Sequence, residues 1–217
     1  MPDYICLEAT NDELRGEVLR LRSLSYSSDL AREVPPCSDR YDDQGNCRSF
    51  LLLRQGETSG LGSIRPCVFR HDRPGMLTPV FEIYGDEART VFGSDADFVQ
   101  STHFVLAPTV GRLEILPKLL LFREVFRAAV VQRARYVITV IRDKASYVSF
   151  YRRLGFEVIA SGRVHPTFAV PTVLLAAEIT ATGFHRVLAT ERFFPIFQGL
   201  LPNCREHRGS QPDLLRM

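Results

Sequence analysis

Residues Ser146-Tyr147-Val148-Ser149-Phe150-Tyr151-Arg152-Arg153-Leu154-Gly155-Phe156-Glu157 constrain this chain more than any other stretch. They read as a short helix ending in Arg-Arg-Leu, a glycine free to take positive φ, and a strand opening on Phe156. A helix stopped in this way lets the chain reverse at once. Phe156, Val158 and Ile159 are then expected to lie back against the helix they follow.

The remaining segments supply the sheet that such a pair needs. Thr10-Asn11-Asp12-Glu13 has the pattern of a capping box. Leu14, Val18, Leu21 and Leu24 or Ser25 follow at helical spacing, which predicts a helix to about Tyr26. Residues 27–47 hold Pro35-Pro36, several Asp and Ser, and Gly45-Asn46, and read as one long irregular loop of the kind that is often functional. Ser49 to Arg54 reads as a buried strand, Gln55-Gly56-Glu57 as a turn, and Gly60 to Arg65 as the returning strand of a hairpin. Pro66 to Pro79 shows no clear pattern, and Val80 to Phe92 fits either a short helix or strand pieces. Asp97 to Leu106 reads as a strand stopped by Pro108.

Pro117 suits a helix start, and Leu120, Leu121, Val125, Ala128, Ala129 and Gln132 then form a wide stripe within Leu119 to Ala134. Arg135 to Ile141 is the most β-like run, ahead of the helix over Tyr147 to Leu154 and the strand over Phe156 to Ser161. Val173 to Thr180 reads as a last strand. Strands mixed with helices in this order predict an α+β protein with helices on the faces of a sheet. The expected organisation is one domain over residues 1–183 and a C-terminal helix with a flexible tail over 184–217.

Composition narrows the classes. A chain of 217 residues with 45% hydrophobic and 24% charged residues has the mix of an ordinary globular domain. Its formal charge of +2 lacks the basic excess of a nucleic-acid binder. No run approaches the ~18 apolar residues of a membrane span. The start, Met-Pro-Asp-Tyr-Ile-Cys-Leu-Glu, has no basic n-region or apolar h-region, so a cytoplasmic protein is expected. The five cysteines (Cys6, Cys37, Cys47, Cys67, Cys204) form an odd set without Cys-x-x-Cys spacing. Reduced thiols are expected, with neither a disulfide framework nor a metal site.

Phe150-Tyr151-Arg152-Arg153-Leu154-Gly155-Phe156 resembles the last helix and strand of the GCN5-related N-acetyltransferase (GNAT) fold. That resemblance implies a mixed, mostly antiparallel sheet flanked by helices, with Tyr151 facing the sulfur of a thioester donor. The first half narrows the likeness. Arg20-Leu21-Arg22-Ser23-Leu24-Ser25-Tyr26, Ser38-Asp39-Arg40-Tyr41-Asp42, Asn46-Cys47-Arg48-Ser49-Phe50 and Gly62-Ser63-Ile64-Arg65 come in an order similar to the N-acyl amino acid synthases. The acyl-homoserine lactone synthases are more distantly similar. His165-Pro166-Thr167-Phe168-Ala169-Val170-Pro171-Thr172-Val173-Leu174-Leu175 and Glu191-Arg192-Phe193-Phe194-Pro195 also resemble the acyl amino acid synthases. The likeness runs over roughly residues 13–197. It implies transfer of a fatty acyl group from acyl carrier protein, or acyl-CoA, to the amine of a small acceptor.

By that resemblance Arg22, Asp39, Asp42 and Arg65 stand around the acceptor and donor mouth. Their chemistry suits that place, since an ammonium is bound and deprotonated by acidic groups such as Asp39 and Asp42. The carboxylate of an amino acid is held by a guanidinium such as Arg65. The same aspartates, with Arg40, also suit turn capping in a polar loop. Phe104 and Val105 complete the expected substrate-binding set.

Phe98-Val99-Gln100-Ser101-Thr102-His103-Phe104-Val105 departs from the family pattern. Related synthases usually carry an acidic residue at Gln100 and an arginine at His103. With Gln100 a direct carboxylate base is lost; His103, of ordinary pKa ~6.5, can replace it or simply pack beside the strand. Tyr151 is the candidate hydrogen-bond donor to the leaving thiolate, and also reads as a core-facing aromatic. The resemblance further implies an oxyanion met by backbone N–H groups after His103, where sheets of this fold splay.

Acetyl-CoA enzymes of this fold hold the pyrophosphate on a Gly-rich loop at a helix start. Ala107 to Pro117 has a single glycine, Gly111, followed by Arg112 and later by Pro117. That pattern disfavours acetyl-CoA and fits a phosphopantetheine-borne donor, with no tightly bound cofactor. Arg112, Lys118, Arg123, Arg127, Arg133, Arg152 and Arg153 are the expected landing surface for an acidic carrier protein, and singly each also suits a solvated face. Two alternatives stay open at this point: an acyl-homoserine lactone synthase, and a non-catalytic protein of this fold that binds an acyl carrier.

Overall fold

The computed structural model describes residues 4–30, 38–73, 75–93, 96–111, 114–166, 168–179 and 196. The expected tail over 184–217, with its Phe193-Phe194-Pro195 motif, otherwise lies outside these residues. Among them Ile196 packs against the main core.

The described residues form, in order, β1 (Tyr4–Glu8), α1 (Asp12–Leu30), β2 (Phe50–Arg54), β3 (Gly60–Phe69), α2 (Val80–Phe92), β4 (Phe98–Leu106), α3 (Ile115–Val131), β5 (Tyr136–Arg142), α4 (Ala145–Arg153), β6 (Glu157–Val164) and β7 (Pro171–Glu178). The strands form one sheet in the order β1-β2-β3-β4-β5-β7-β6. Every pairing is antiparallel except β4 with β5, whose connection passes through α3. This is the mixed, mostly antiparallel α+β sheet predicted above.

Alternating residues sort the helices onto two faces. Leu52, Val99, Val137 and Leu175 pack with α3 and α4 around Phe122, Phe126 and Tyr151. Their neighbours point the other way: Leu51 and Leu53 pack under Val18 and Leu21 of α1, while Phe98, Ile138 and Leu174 pack under Tyr84 and Ala88 of α2. Burying a side chain such as Phe122 contributes about 1.5–3 kcal/mol.

Several boundaries move, for local reasons. Asn11, not Thr10, caps α1, accepting a bond from the Leu14 N–H at 2.9 Å. The run 66–69 that showed no pattern belongs to β3, paired with β4. Val80–Phe92 resolves as a helix because Val80, Tyr84, Ala88 and Phe92 bury one stripe. β1, a half-buried edge strand beside β2, is not signalled in the sequence. Gly155 takes φ 84° as expected, and Phe156 meets Tyr151 edge-on at 5.4 Å. Val158 is exposed and Ile159 faces the α2 cluster instead, since β6 is an edge strand with two faces.

One irregularity shapes the centre. β3 and β4 pair Arg65 with Thr102 and Ser63 with Val105, so His103 and Phe104 oppose the single residue Ile64. His103 takes φ 47°, a left-handed conformation uncommon outside glycine. Such a bulge bends its strand and increases twist. Parallel pairing of β4 with β5 runs from Phe98/Tyr136 to Ser101/Thr139 and stops. β4 stays paired to β3 as far as Leu106, and β5 to β7 as far as Arg142. The sheet therefore parts into two halves beyond Ser101 and Thr139.

Candidate active site

The loop that carries the acidic residues is pinned to β3. Val68 donates its N–H to the Asn46 carbonyl at 2.8 Å, and Arg48 donates to the Pro66 carbonyl at 3.1 Å. Cys47 thereby lies opposite Cys67, both buried beneath Tyr41 as free thiols. Asp39 and Asp42 project from this loop towards two guanidiniums. Arg65 donates to Asp39 at 2.7 and 2.8 Å, to Asp42 at 2.7 Å and to the Thr102 hydroxyl at 3.0 Å. Arg22 of α1 grips both Asp42 oxygens at 2.8 and 2.9 Å and the Ser49 hydroxyl at 3.0 Å.

Both arginine side chains are about 1% exposed, whereas Asp39 keeps about a third of its surface open. Burial opposes charge on the aspartates. Hydrogen bonds from His103 and Arg65 outweigh it at Asp39, and the Arg22 and Arg65 charges do so at Asp42. Both carboxyls are held below the usual carboxylate range. Arg65 is accordingly not available to an acceptor carboxylate as the sequence suggested. All three of its nitrogens serve the protein, and it acts by fixing the two aspartates.

The bulge delivers His103 to the same cluster. Its Nε2 lies 2.8 Å from Asp39 Oδ2, and its Nδ1 meets the Tyr26 hydroxyl at the end of α1. Burial, helped by the Arg22 and Arg65 charges, pushes the imidazole down to about 4 against the pull of Asp39. The ring is therefore neutral near pH 7. Burial also raises the Tyr26 phenol above its ordinary value. The Tyr26 ring packs on Phe168, in the turn between β6 and β7, at 5.1 Å, so it links the two parted halves of the sheet. Tyr26 closes a family motif in the sequence, but nothing local gives it a role, since it meets His103 from 77 residues away.

The opposite face of the sheet carries Tyr151. Its ring is boxed edge-on by Phe122, Phe150 and Phe156 at 5.3–5.5 Å. Burial raises its phenol, and Thr139, the last β5 residue paired with β4, is the polar neighbour of its hydroxyl. Thr139 donates to the Ser101 carbonyl at 3.1 Å. The Ser101 hydroxyl is buried and has no partner among the described residues. Three hydroxyls thus gather at the apex of the parted strands, of which the sequence points to Tyr151 alone.

The other expected residues divide. Gln100 accepts the Val80 N–H at 2.8 Å and is about 1% exposed; it caps α2 and is sealed away from the gap. Phe104 lies at 4.9 Å from Phe122 on the Tyr151 face, while Val105 packs under α1. The bulge is the reason that these two point to opposite faces from those a regular strand would give.

Arg112 lies outside the described residues. Lys118 sits over the Phe150 ring at 5.9 Å, near the start of α3. Arg123 and Arg127 act on Cys6 of the edge strand β1, whereas Arg152 and Arg153 end α4 beside β6. The basic residues of α3 and α4 therefore do not make one landing surface. Arg142, which ends β5, and Lys144, which precedes α4, lie at the end of β5 beyond its last pairing with β4, and neither falls on a helix stripe that the sequence would single out.

A mixed, mostly antiparallel sheet parted after four parallel rungs, with helices on both faces, is the acyl-CoA N-acyltransferase (GNAT) architecture. The family of the N-acyl amino acid synthase FeeM matches residues 17–178, and the chain belongs to that family; it is an N-acyltransferase. The structure of FeeM, an N-acyl amino acid synthase from uncultured soil microbes, superposes with a TM-score of 0.72 at 18% identity, covering 88% of this chain and 99% of that one. BjaI, a CoA-dependent acyl-homoserine lactone synthase solved with SAM and isopentyl-CoA, gives 0.58 at 17% identity over 89% and 90%. An acyl-CoA N-acyltransferase from Pseudomonas aeruginosa gives 0.54 at 16% identity over 81% and 99%. No curated protein sequence matches the chain.

Proposed function

We propose that this N-acyltransferase moves a medium- or long-chain fatty acyl group from acyl carrier protein, or from CoA, to the α-amine of an amino-acid-like acceptor. The observation that carries the reading is the end of β4–β5 pairing at Ser101 and Thr139, with Tyr151 beside Thr139 on one face of the sheet and His103, two residues past Ser101, on the other. The thioester enters on the α3/α4 face, where Phe104, Phe122 and Phe150 offer an apolar wall to the acyl chain. The acceptor approaches on the α1/α2 face, where the open side of Asp39 attracts an ammonium and His103 supplies the base.

Attack forms the C–N bond and puts charge on the carbonyl oxygen, which backbone N–H groups of β4 beyond its last pairing with β5 stabilise. Breaking the C–S bond then releases the pantetheine thiolate, to which Tyr151 donates a hydrogen bond. Glu114 stands at the N-terminus of α3 without capping it, and a carboxylate there opposes a pyrophosphate. This favours a carrier-borne arm with its single phosphate. A cytoplasmic enzyme suits such a donor, and no described helix is long and apolar enough to cross a membrane.

Incubation of the full chain with carrier- and CoA-borne acyl donors and a panel of amino acids, read by mass spectrometry, is expected to yield N-acyl amino acids. Tyr151→Phe is expected to lower kcat by about 10²-fold. Folded protein that gives no amide across the panel refutes the reading. Lactone and methylthioadenosine in place of amide would move the acceptor to S-adenosylmethionine.

A further inference from the structure

His103 has no ring nitrogen left for a substrate. Nε2 faces the ionised Asp39 at 2.8 Å, and a carboxylate in that state only accepts, so Nε2 carries the ring proton. A neutral imidazole then has a bare Nδ1, which can only accept. The hydroxyl in front of it belongs to Tyr26, so the Tyr26 O–H donates inward to Nδ1. That leaves the phenol oxygen with its lone pairs free to accept a hydrogen bond. The ring carrying it spans from His103, just past the point where β4 leaves β5, to Phe168 on the far half-sheet.

We propose that Tyr26 is a catalytic residue of the acyl transfer, receiving an N–H from the acceptor amine and relaying its proton to His103. This rests on the reading of the site given above. The acceptor attacks as the free amine, its ammonium proton having passed to solvent: the C–N bond forms, the carbonyl π pair moves to oxygen and the nitrogen becomes cationic. Its proton passes to the Tyr26 oxygen while the Tyr26 proton passes to Nδ1. His103 becomes imidazolium beside Asp39, which Arg65 holds in place. Collapse breaks the C–S bond, and return of the proton through Tyr26 leaves amide and free thiol. A weakly basic imidazole suffices because the attached nitrogen turns strongly acidic only after attack, and before it the ring stays unprotonated.

Tyr26→Phe keeps the ring against Phe168 and removes only the oxygen. Its kcat at saturating acceptor is expected to fall ~10²–10⁴-fold, the range of general base catalysis, with donor affinity unchanged. Rates in mixed light and heavy water should curve for the wild type, as two protons move together, and become linear in the variant. Nitrogen-15 NMR of the wild-type ring should show Nε2 protonated and Nδ1 bare. A protonated Nδ1 overturns the relay whatever the rates, so a poorly folded variant cannot shelter it. Amide formation by Tyr26→Phe at the wild-type rate overturns it too, and leaves the acyl-transfer reading standing. A wild type that forms no amide fells both.

Discussion

Asp39 and His103 are bonded at 2.8 Å although 64 residues separate them, and each is held by a partner that the other does not touch. Asp39 is clasped by Arg65, and His103 receives the Tyr26 phenol. The loop over 38–47, the end of α1 and the bulge of β4 are thus joined to one another by one hydrogen-bond and ion-pair network. A site assembled this way is rigid before substrate arrives.

That network makes Arg65 a stability residue. Arg65→Leu would leave Asp39 partly buried without its counter-charge and Asp42 with Arg22 alone, a loss of about 3 kcal/mol. For a chain of this size the midpoint of thermal unfolding should drop by roughly 6–12 °C. A loss below about 1 kcal/mol in urea titration would show that the aspartates are satisfied from elsewhere.

His103 also sets a pH dependence. Its folded value, about 4, lies below the ordinary 6.5, so the unfolded chain binds the proton first as pH falls. Its contribution is complete above 6.5 and is lost between there and about 4, with a slope of at most about 1.4 kcal/mol per pH unit. Asp39 and Asp42, both depressed, add a further loss below about 4. The groups facing the ring are Asp39, Tyr26, Arg22 and Arg65. Stability of His103→Gln measured against pH should be flatter than wild type between 6.5 and 4. Parallel curves would contradict a neutral, buried imidazole.

Gln100 gives a prediction of the opposite kind. Gln100→Ala strands the Val80 N–H, in a fully buried position, at about 1–3 kcal/mol. Acyl transfer by the folded fraction should stay within about threefold of wild type. A tenfold loss of kcat in protein that is shown to be folded would return Gln100 to the chemistry.

Cations at the open end of the sheet should matter for a carrier protein. Lys118→Glu with Lys144→Glu is expected to raise KM for a carrier-borne donor by about tenfold or more, with a much smaller effect on the same acyl group carried by CoA. Arg123→Glu with Arg127→Glu, near the β1 edge, should change it far less. Equal effects of the two pairs would argue against docking at the mouth.

The sequence by itself determined most of the strands and helices, β1 and the second half of β3 excepted, because apolar residues at spacings of two and of three to four report a buried face without reference to the rest of the chain. It also carried, in the order of its Arg, Asp and Phe-Tyr motifs, the family. It left Val80–Phe92 undecided, since Phe81, Ile83 and Gly85 around the stripe also suit strand pieces; the sheet beneath it chose the helix. Only the tertiary structure decided the site. A single extra residue in β4 exchanged the faces of Phe104 and Val105 and turned His103 towards Asp39, and spacing rules are blind to a bulge whose position depends on the neighbouring strand. Tyr26 became a partner of that imidazole, and Gln100 a helix cap, through contacts over 77 and 20 residues that exist only once the layers have packed.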